Sequence, residues 1–63
     1  MYVYERINAY IKQHGLRPAN IAQRAGMPGE ALHAILEGKL TLYADDLRAL
    51  CYALEVEPEA FVA

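Results

Sequence analysis

The chain has 63 residues, 56% of them hydrophobic, and a formal net charge of −2. This length corresponds to one small domain, which we expect to cover residues 1–63, and the hydrophobic content favours a folded core over disorder. The single cysteine, Cys51, excludes an intramolecular disulfide. No cysteine and histidine pattern has the spacing of zinc ligands, so we expect neither a metal nor a cofactor.

The sequence lacks the segments that direct a protein to a membrane. No run approaches the ~18 apolar residues of a membrane span. The first residues, MYVYERIN, lack the basic and then apolar run of a signal peptide. We therefore expect no contact with a membrane and a reducing, cytoplasmic location.

Charge is distributed unevenly along the chain. Residues 1–44 carry five Lys or Arg and three Glu, whereas residues 45–63 carry five Asp or Glu and one Arg. Positive charge facing the phosphates supplies most of the non-specific affinity of nucleic-acid-binding proteins. The mildly basic first part supplies such charge only weakly, and the last part is acidic.

The first helix is predicted over residues 3–14. Apolar and aromatic side chains recur there at steps of three and four, which places them on one stripe. The residues of this stripe are Val3, Ile7, Tyr10, Ile11 and His14. Gly15 is expected to end the helix, and Leu16 to fold back over its last turn.

Two short helices are predicted next, over residues 18–25 and from residue 28 or 29 to 37. Gly26 interrupts the apolar spacing and suits the left-handed conformation just past a helix end. Proline is tolerated in the first turn of a helix, so Pro18 and Pro28 suit the two helix starts. The third helix is expected to bury Leu32, Ile35 and Leu36. Together these features predict a helix-turn-helix.

Two further helices are predicted over residues 44–54 and 58–62. The fourth helix has an apolar stripe and is expected to be the central helix of the core. Its stripe consists of Leu47, Leu50, Cys51 and Leu54. Phe61 is expected to anchor the last helix, and either Leu40 or Leu42 to pack on the core from the linker. Five helices with short connections predict an all-α orthogonal bundle.

Several motifs occur together across nearly the whole chain. They are Ile21-Ala22, the turn Ala25-Gly26-Met27, Leu32 and Ile35, Gly38, and the leucine-rich fourth helix running into LEVEP at residues 54–58. With these motifs the chain resembles the phage lambda repressor/Cro-like helix-turn-helix family of prokaryotic regulators. The resemblance implies a five-helix lambda-repressor-like bundle that binds operator DNA, usually as a dimer, with the third helix in the major groove.

Candidate DNA-binding residues follow from this resemblance and from the outward sides of the helices. They are Arg17, Gln23, Gly29, Glu30, His33, Ala34 and Lys39. His33 is expected to be the main reader of base edges, with Glu30 as a second. Arg17, Gln23 and Lys39 are expected to hold the DNA backbone, along with the N–H groups that begin the third helix. We expect the partner to be double-stranded DNA, bound by a homodimer of a phage or bacterial transcriptional regulator.

A second interpretation is a protein-interaction module that keeps the fold without operator binding, such as an antirepressor or a partner of another regulator. The third helix has no Arg for the bidentate guanine contact that is the commonest direct readout. The chain also has tyrosines of the kind enriched at interfaces, at Tyr2, Tyr4, Tyr43 and Tyr52. Candidate surfaces for a second subunit are the Tyr2/Tyr4 end and the Phe61/Val62 end.

An enzyme is the least supported interpretation. The chain contains no serine, its one cysteine lies on a predicted buried stripe, and its histidines lie on different helices. No glycine-rich phosphate loop is present. We therefore expect no catalytic activity.

Overall fold

The computed structural model describes residues 2–62, which form five helices. These helices are α1 (Val3–Gln13), α2 (Pro18–Ala25), α3 (Gly29–Leu36), α4 (Ala44–Leu54) and α5 (Glu59–Val62). The all-α prediction is confirmed. The bounds of α2 and α4 agree with the prediction, and the other three helices begin or end one residue inside the predicted ranges.

Glycines in the left-handed region end the two helices of the helix-turn-helix. Gly26 has φ +76°, and the next N–H, that of Met27, donates to the Ala22 carbonyl at 3.0 Å. Gly38 has φ +78°, and the N–H of Lys39 donates to the Ala34 carbonyl at 2.8 Å. These bonds satisfy carbonyls that would otherwise have no partner at a helix end. As a result, only Gly26, Met27 and Pro28 separate α2 from α3.

The helix starts differ in how their N–H groups are capped. The Glu5 carboxylate accepts the N–H of Tyr2 before α1 at 2.9 Å, and that of Asp46 accepts the N–H of Tyr43 before α4 at 3.3 Å. In contrast, Arg17 and Pro28 occupy the N-cap positions of α2 and α3, and neither makes a side-chain cap. Carboxylates lie in the first turns of α1, α3 and α4, where α3 has Glu30, whereas the first turn of α2 has none.

The core is made of apolar side chains, and no buried polar or charged side chain occurs within residues 2–62. Its centre is formed by Ile7, Leu32 and Leu50, each fully buried. α4 contributes Leu50, Cys51, Ala53 and Leu54 and packs mainly against α2, which also contacts α3. The fourth helix supplies more buried residues than any other described helix, but it packs chiefly on α2 alone, so the predicted central place of this helix is not confirmed.

α5 packs against α1 and brings the two ends of the described chain together. The Phe61 ring meets the edge of Tyr10 with 5.7 Å between ring centroids. The Arg6 guanidinium donates to the Phe61 carbonyl at 3.4 Å. Phe61 is thus buried, as predicted for the residue that anchors this helix.

Two side chains predicted to cover α1 are more exposed than expected. His14 lies at the C-cap of α1 and is exposed, because the helix ends one residue earlier; its ring stacks on Tyr10 at 4.1 Å. The N–H of Leu16 folds back to the Ile11 carbonyl, yet its side chain stays 36% exposed. In the linker, Leu42 packs on the core while Leu40 remains 50% exposed.

The longest described helices, α1 and α4, have 11 residues each. None of the helices within residues 2–62 has the length and apolar character needed to cross a membrane.

Candidate nucleic-acid interface

The helix-turn-helix buries one side of each of its helices and leaves the other in solvent. α2 buries Ile21 and Ala22, and the small side chain of Ala22 is only 1% exposed where α2 packs against its neighbours. α3 buries Leu32, Ile35 and Leu36, which is the predicted side. The opposite side of α3 is consequently available to a partner.

Six of the seven candidate DNA-binding residues are exposed, and the seventh, Ala34, is half-buried. Arg17 lies at the N-cap of α2, and no carboxylate within residues 2–62 pairs with it. Gln23 lies in the last turn of α2. Gly29 and Glu30 form the first turn of α3, and His33 follows on the same helix.

Gly29 is the first residue of α3 and has no steric reason to be glycine within the described chain. A Cβ built on it would meet no atom within 4 Å, and its φ is not in the left-handed region. Pro28 provides no side-chain cap, so within residues 2–62 the N–H groups of Gly29 and Glu30 have no acceptor, whereas those of Ala31 and Leu32 donate to the Pro28 carbonyl. The start of α3 can therefore admit an anion close to its backbone.

Glu37 joins two of the candidates and was not itself predicted as a site residue. It lies at the C-cap of α3, and its Oε1 is 2.9 Å from His33 Nε2 and 3.6 Å from Lys39 Nζ. The four-residue spacing of His33 and Glu37 is a sequence signal that could have revealed this contact. The carboxylate partly offsets the positive charge at this end of α3.

A second carboxylate offsets positive charge on α2. Arg24 Nη2 lies 3.6 Å from Glu55 Oε2, in a contact that joins the end of α2 to the residue after α4. Glu55 has φ +60° and is the one non-glycine residue with positive φ within residues 2–62. The basic character of the helix-turn-helix is thus reduced by the acidic last part of the chain.

The described residues offer neither a metal site nor a reactive thiol. Within residues 2–62, no group of three or more His, Cys, Asp or Glu side chains could hold a metal ion. Burial raises the pKa of the Cys51 thiol, and the Glu59 and Glu57 carboxylates raise it further. This thiol is only 2% exposed, so it is a core residue with a low content of reactive thiolate.

The chain was compared with protein families, curated proteins and solved structures. The family model of the Cro/C1-type HTH DNA-binding domain matches residues 6–62. Neither the curated proteins nor the solved structures gave a match. The matched family is one of DNA-binding regulator domains and not of enzymes. With the five-helix bundle and the helix-turn-helix in place, the chain belongs to the Cro/C1-type family of helix-turn-helix DNA-binding domains.

Proposed function

We propose that the protein is a sequence-specific transcriptional regulator, a repressor of phage or bacterial type, that places α3 in the major groove of double-stranded DNA. The observation that carries this proposal is the division of α3 into two sides. Leu32, Ile35 and Leu36 fix the helix to the core, while Glu30 and His33 remain exposed. A helix held in this way can enter the major groove without unfolding any of the core.

Contacts to the DNA backbone come from the starts of α2 and α3. Both starts lack a capping side chain, unlike those of α1 and α4. Pro18 has no N–H, so α2 offers mainly its dipole, whereas the N–H groups of Gly29 and Glu30 at the start of α3 suit phosphate oxygens. Arg17 and Lys39 add charge at the two ends of the helix-turn-helix, and Gln23 adds a neutral hydrogen-bonding group.

Base contacts come from the exposed side of α3. His33 presents an imidazole, and Glu30 can accept from a cytosine amino group. The methyl group of Ala34 can meet the methyl group of a thymine. Since Glu37 and Glu55 offset His33, Lys39 and Arg24, we expect modest affinity for one half-site and a need for two linked copies.

We propose that the second copy binds at the Tyr2/Tyr4 end. Phe61 is 3% exposed, so its side chain at the opposite candidate end is already used by the core. Tyr2 and Tyr43, in contrast, are 70% and 68% exposed. They flank an apolar groove of about 270 Å³ between the starts of α1 and α4, which Tyr4 and Leu42 also line.

The test of DNA binding is a titration of labelled duplex DNA over a range of salt concentrations. The slope of log affinity against log salt should be shallower by about 1.8 in Arg17→Ala/Lys39→Ala, because two phosphate contacts are lost. The matched control is Lys12→Ala/Arg48→Ala, which removes the same charge outside the proposed interface and should keep the slope. No binding at low salt, or equal slopes in both variants, would contradict the proposal.

The test of self-association is sedimentation equilibrium. Tyr43→Lys places a charge beside the groove and should shift the chain toward monomer. Tyr52→Lys changes a tyrosine of similar exposure (78%) away from the groove and should not.

The same groove favours a second candidate function, a module that binds another regulator. If the chain does not bind duplex DNA at low salt but still associates in a manner that depends on Tyr43, the interaction module is the better description.

A further inference from the structure

At the end of α3, the side chains of His33 and Lys39 both contact the same carboxylate oxygen of Glu37. His33 Nε2 and Lys39 Nζ lie 2.9 Å and 3.6 Å from Glu37 Oε1. The side chains of His33 and Lys39 nevertheless remain 75% and 71% exposed. The contacts therefore orient these groups without withdrawing them from the side that would face DNA.

A carboxylate oxygen 2.9 Å from Nε2 favours the imidazole form that carries a proton on this nitrogen. An ionised carboxylate offers only lone pairs, and a ring nitrogen without hydrogen also offers a lone pair, so the two would repel. A proton on Nε2 converts that repulsion into attraction. In the neutral imidazole, Nδ1 is then left without a proton and accepts hydrogen bonds.

No other described side chain competes for the His33 ring. Glu30 lies one turn earlier on α3, and within residues 2–62 it makes no ion pair or hydrogen bond with the ring. Nδ1 is thus unengaged on the exposed side of α3.

We propose that Glu37 is a positioning residue for base recognition, which makes His33 an acceptor for the exocyclic amino group of cytosine or adenine. This inference rests on the proposed placement of α3 in the major groove. There, cytosine N4 and adenine N6 are donors, whereas guanine presents two acceptors and thymine presents an acceptor and a methyl group. His33 with a bare Nδ1 therefore selects cytosine or adenine on the strand that it faces.

The first test needs no DNA. The ¹⁵N spectrum of the imidazole side chains distinguishes the two tautomers in the free protein. His14 serves as an internal reference, because its ring lies tilted against that of Tyr10 and makes no ion pair with residues 2–62. His33 should show a larger share of the Nε2–H tautomer than His14 at alkaline pH. In Glu37→Ala this share should fall to that of His14. Equal tautomer populations of the two histidines in the unmodified chain would overturn the proposal.

The second test measures base preference on duplexes in which one base pair at a time is randomised. One position should be found at which His33→Ala abolishes discrimination among the four bases. There the unmodified chain should bind cytosine or adenine about tenfold more tightly than guanine or thymine. Glu37→Ala should lose this preference, while Glu57→Gln, which removes an equal charge outside the interface, should keep it. Glu37→Met keeps the length of the side chain without an oxygen acceptor, and it serves as the second variant if the alanine variant is poorly folded.

The outcomes separate the proposal from the function on which it rests. A preference for guanine or thymine at this position, or a preference unchanged in Glu37→Ala, would overturn the role of Glu37 while leaving DNA binding intact. If the unmodified chain binds no duplex DNA, the proposed function fails and the base-reading role fails with it. The tautomer measurement would still report whether Glu37 sets the proton on His33.

Discussion

The Tyr4 ring of α1 lies against the backbone of Gly38, the residue that closes the end of α3. A Cβ built on Gly38 would be 2.7 Å from Tyr4 Oη and 2.8 Å from Tyr4 Cζ. Gly38 also has φ +78°, which L side chains rarely adopt. Two separate constraints thus require glycine here, and the contact links α1 to the end of the proposed recognition helix.

Gly38→Ala should destabilise the fold by about 2 kcal/mol or more, because the left-handed backbone costs roughly 1–2 kcal/mol and the overlap with Tyr4 adds to it. Urea denaturation measures the change in the free energy of unfolding. The control is Gly15→Ala, since Gly15 has φ +63° but no atom within 4 Å of its Cβ position. Only the backbone cost applies there, so equal losses in the two variants would refute the contact with Tyr4.

Gly29→Ala should stabilise the fold and weaken DNA binding. Alanine is favoured over glycine in a helix, and no atom lies within 4 Å of the new Cβ, so we expect a gain of about 0.5 kcal/mol. The added methyl group would stand between the start of α3 and a DNA phosphate. Urea denaturation and a duplex titration on the same sample measure the two effects, and a variant that binds DNA as well as the unmodified chain would place the start of α3 away from the backbone.

Glu55→Asn should leave stability unchanged within about 0.5 kcal/mol, because asparagine tolerates the left-handed region and an exposed ion pair contributes little. It also releases Arg24 from its contact at 3.6 Å. Arg24 can then reach a phosphate, and the salt slope of DNA binding should become steeper by about 0.9. Glu57→Asn removes the same charge without touching Arg24; a steeper slope in both variants would show that net charge alone is responsible.

The free energy of unfolding should decrease in alkaline solution because of Cys51. Its pKa is raised in the folded state, chiefly by burial and then by Glu59 and Glu57. The unfolded thiol ionises near its ordinary pKa of about 8.5, so the stabilisation is complete below that pH and is lost as pH rises toward the folded pKa. Denaturation of the unmodified chain and of Cys51→Ala over an alkaline pH series measures this, and an equal decline in both would assign it to other groups.

The helices could be predicted because the relevant information is local. Gly26 and Gly38 mark helix ends through their own backbone preference, and the apolar residues of α3 recur at helical spacing. The exposed side of α3 could be predicted in the same way, because burial of Leu32 and Ile35 leaves His33 on the other side of the helix.

The contacts of Tyr4 with Gly38 and of Arg24 with Glu55 were harder to predict, because each joins segments that are distant in the sequence. Tyr4 meets Gly38 only after α1 has packed against α3. Arg24 meets Glu55 only because α2 lies along α4 and Glu55 adopts positive φ. The spacing of apolar residues also could not decide between Leu40 and Leu42, since each lies in a linker without a helical period.

The bond from Arg6 to the Phe61 carbonyl joins positions 55 residues apart. During synthesis, α1 emerges from the ribosome well before α5, so α5 cannot cover the Tyr10 side of α1 until residues 59–62 have been made. The nascent chain must therefore keep this aromatic surface from aggregating and from being cleaved by proteases until α5 has emerged.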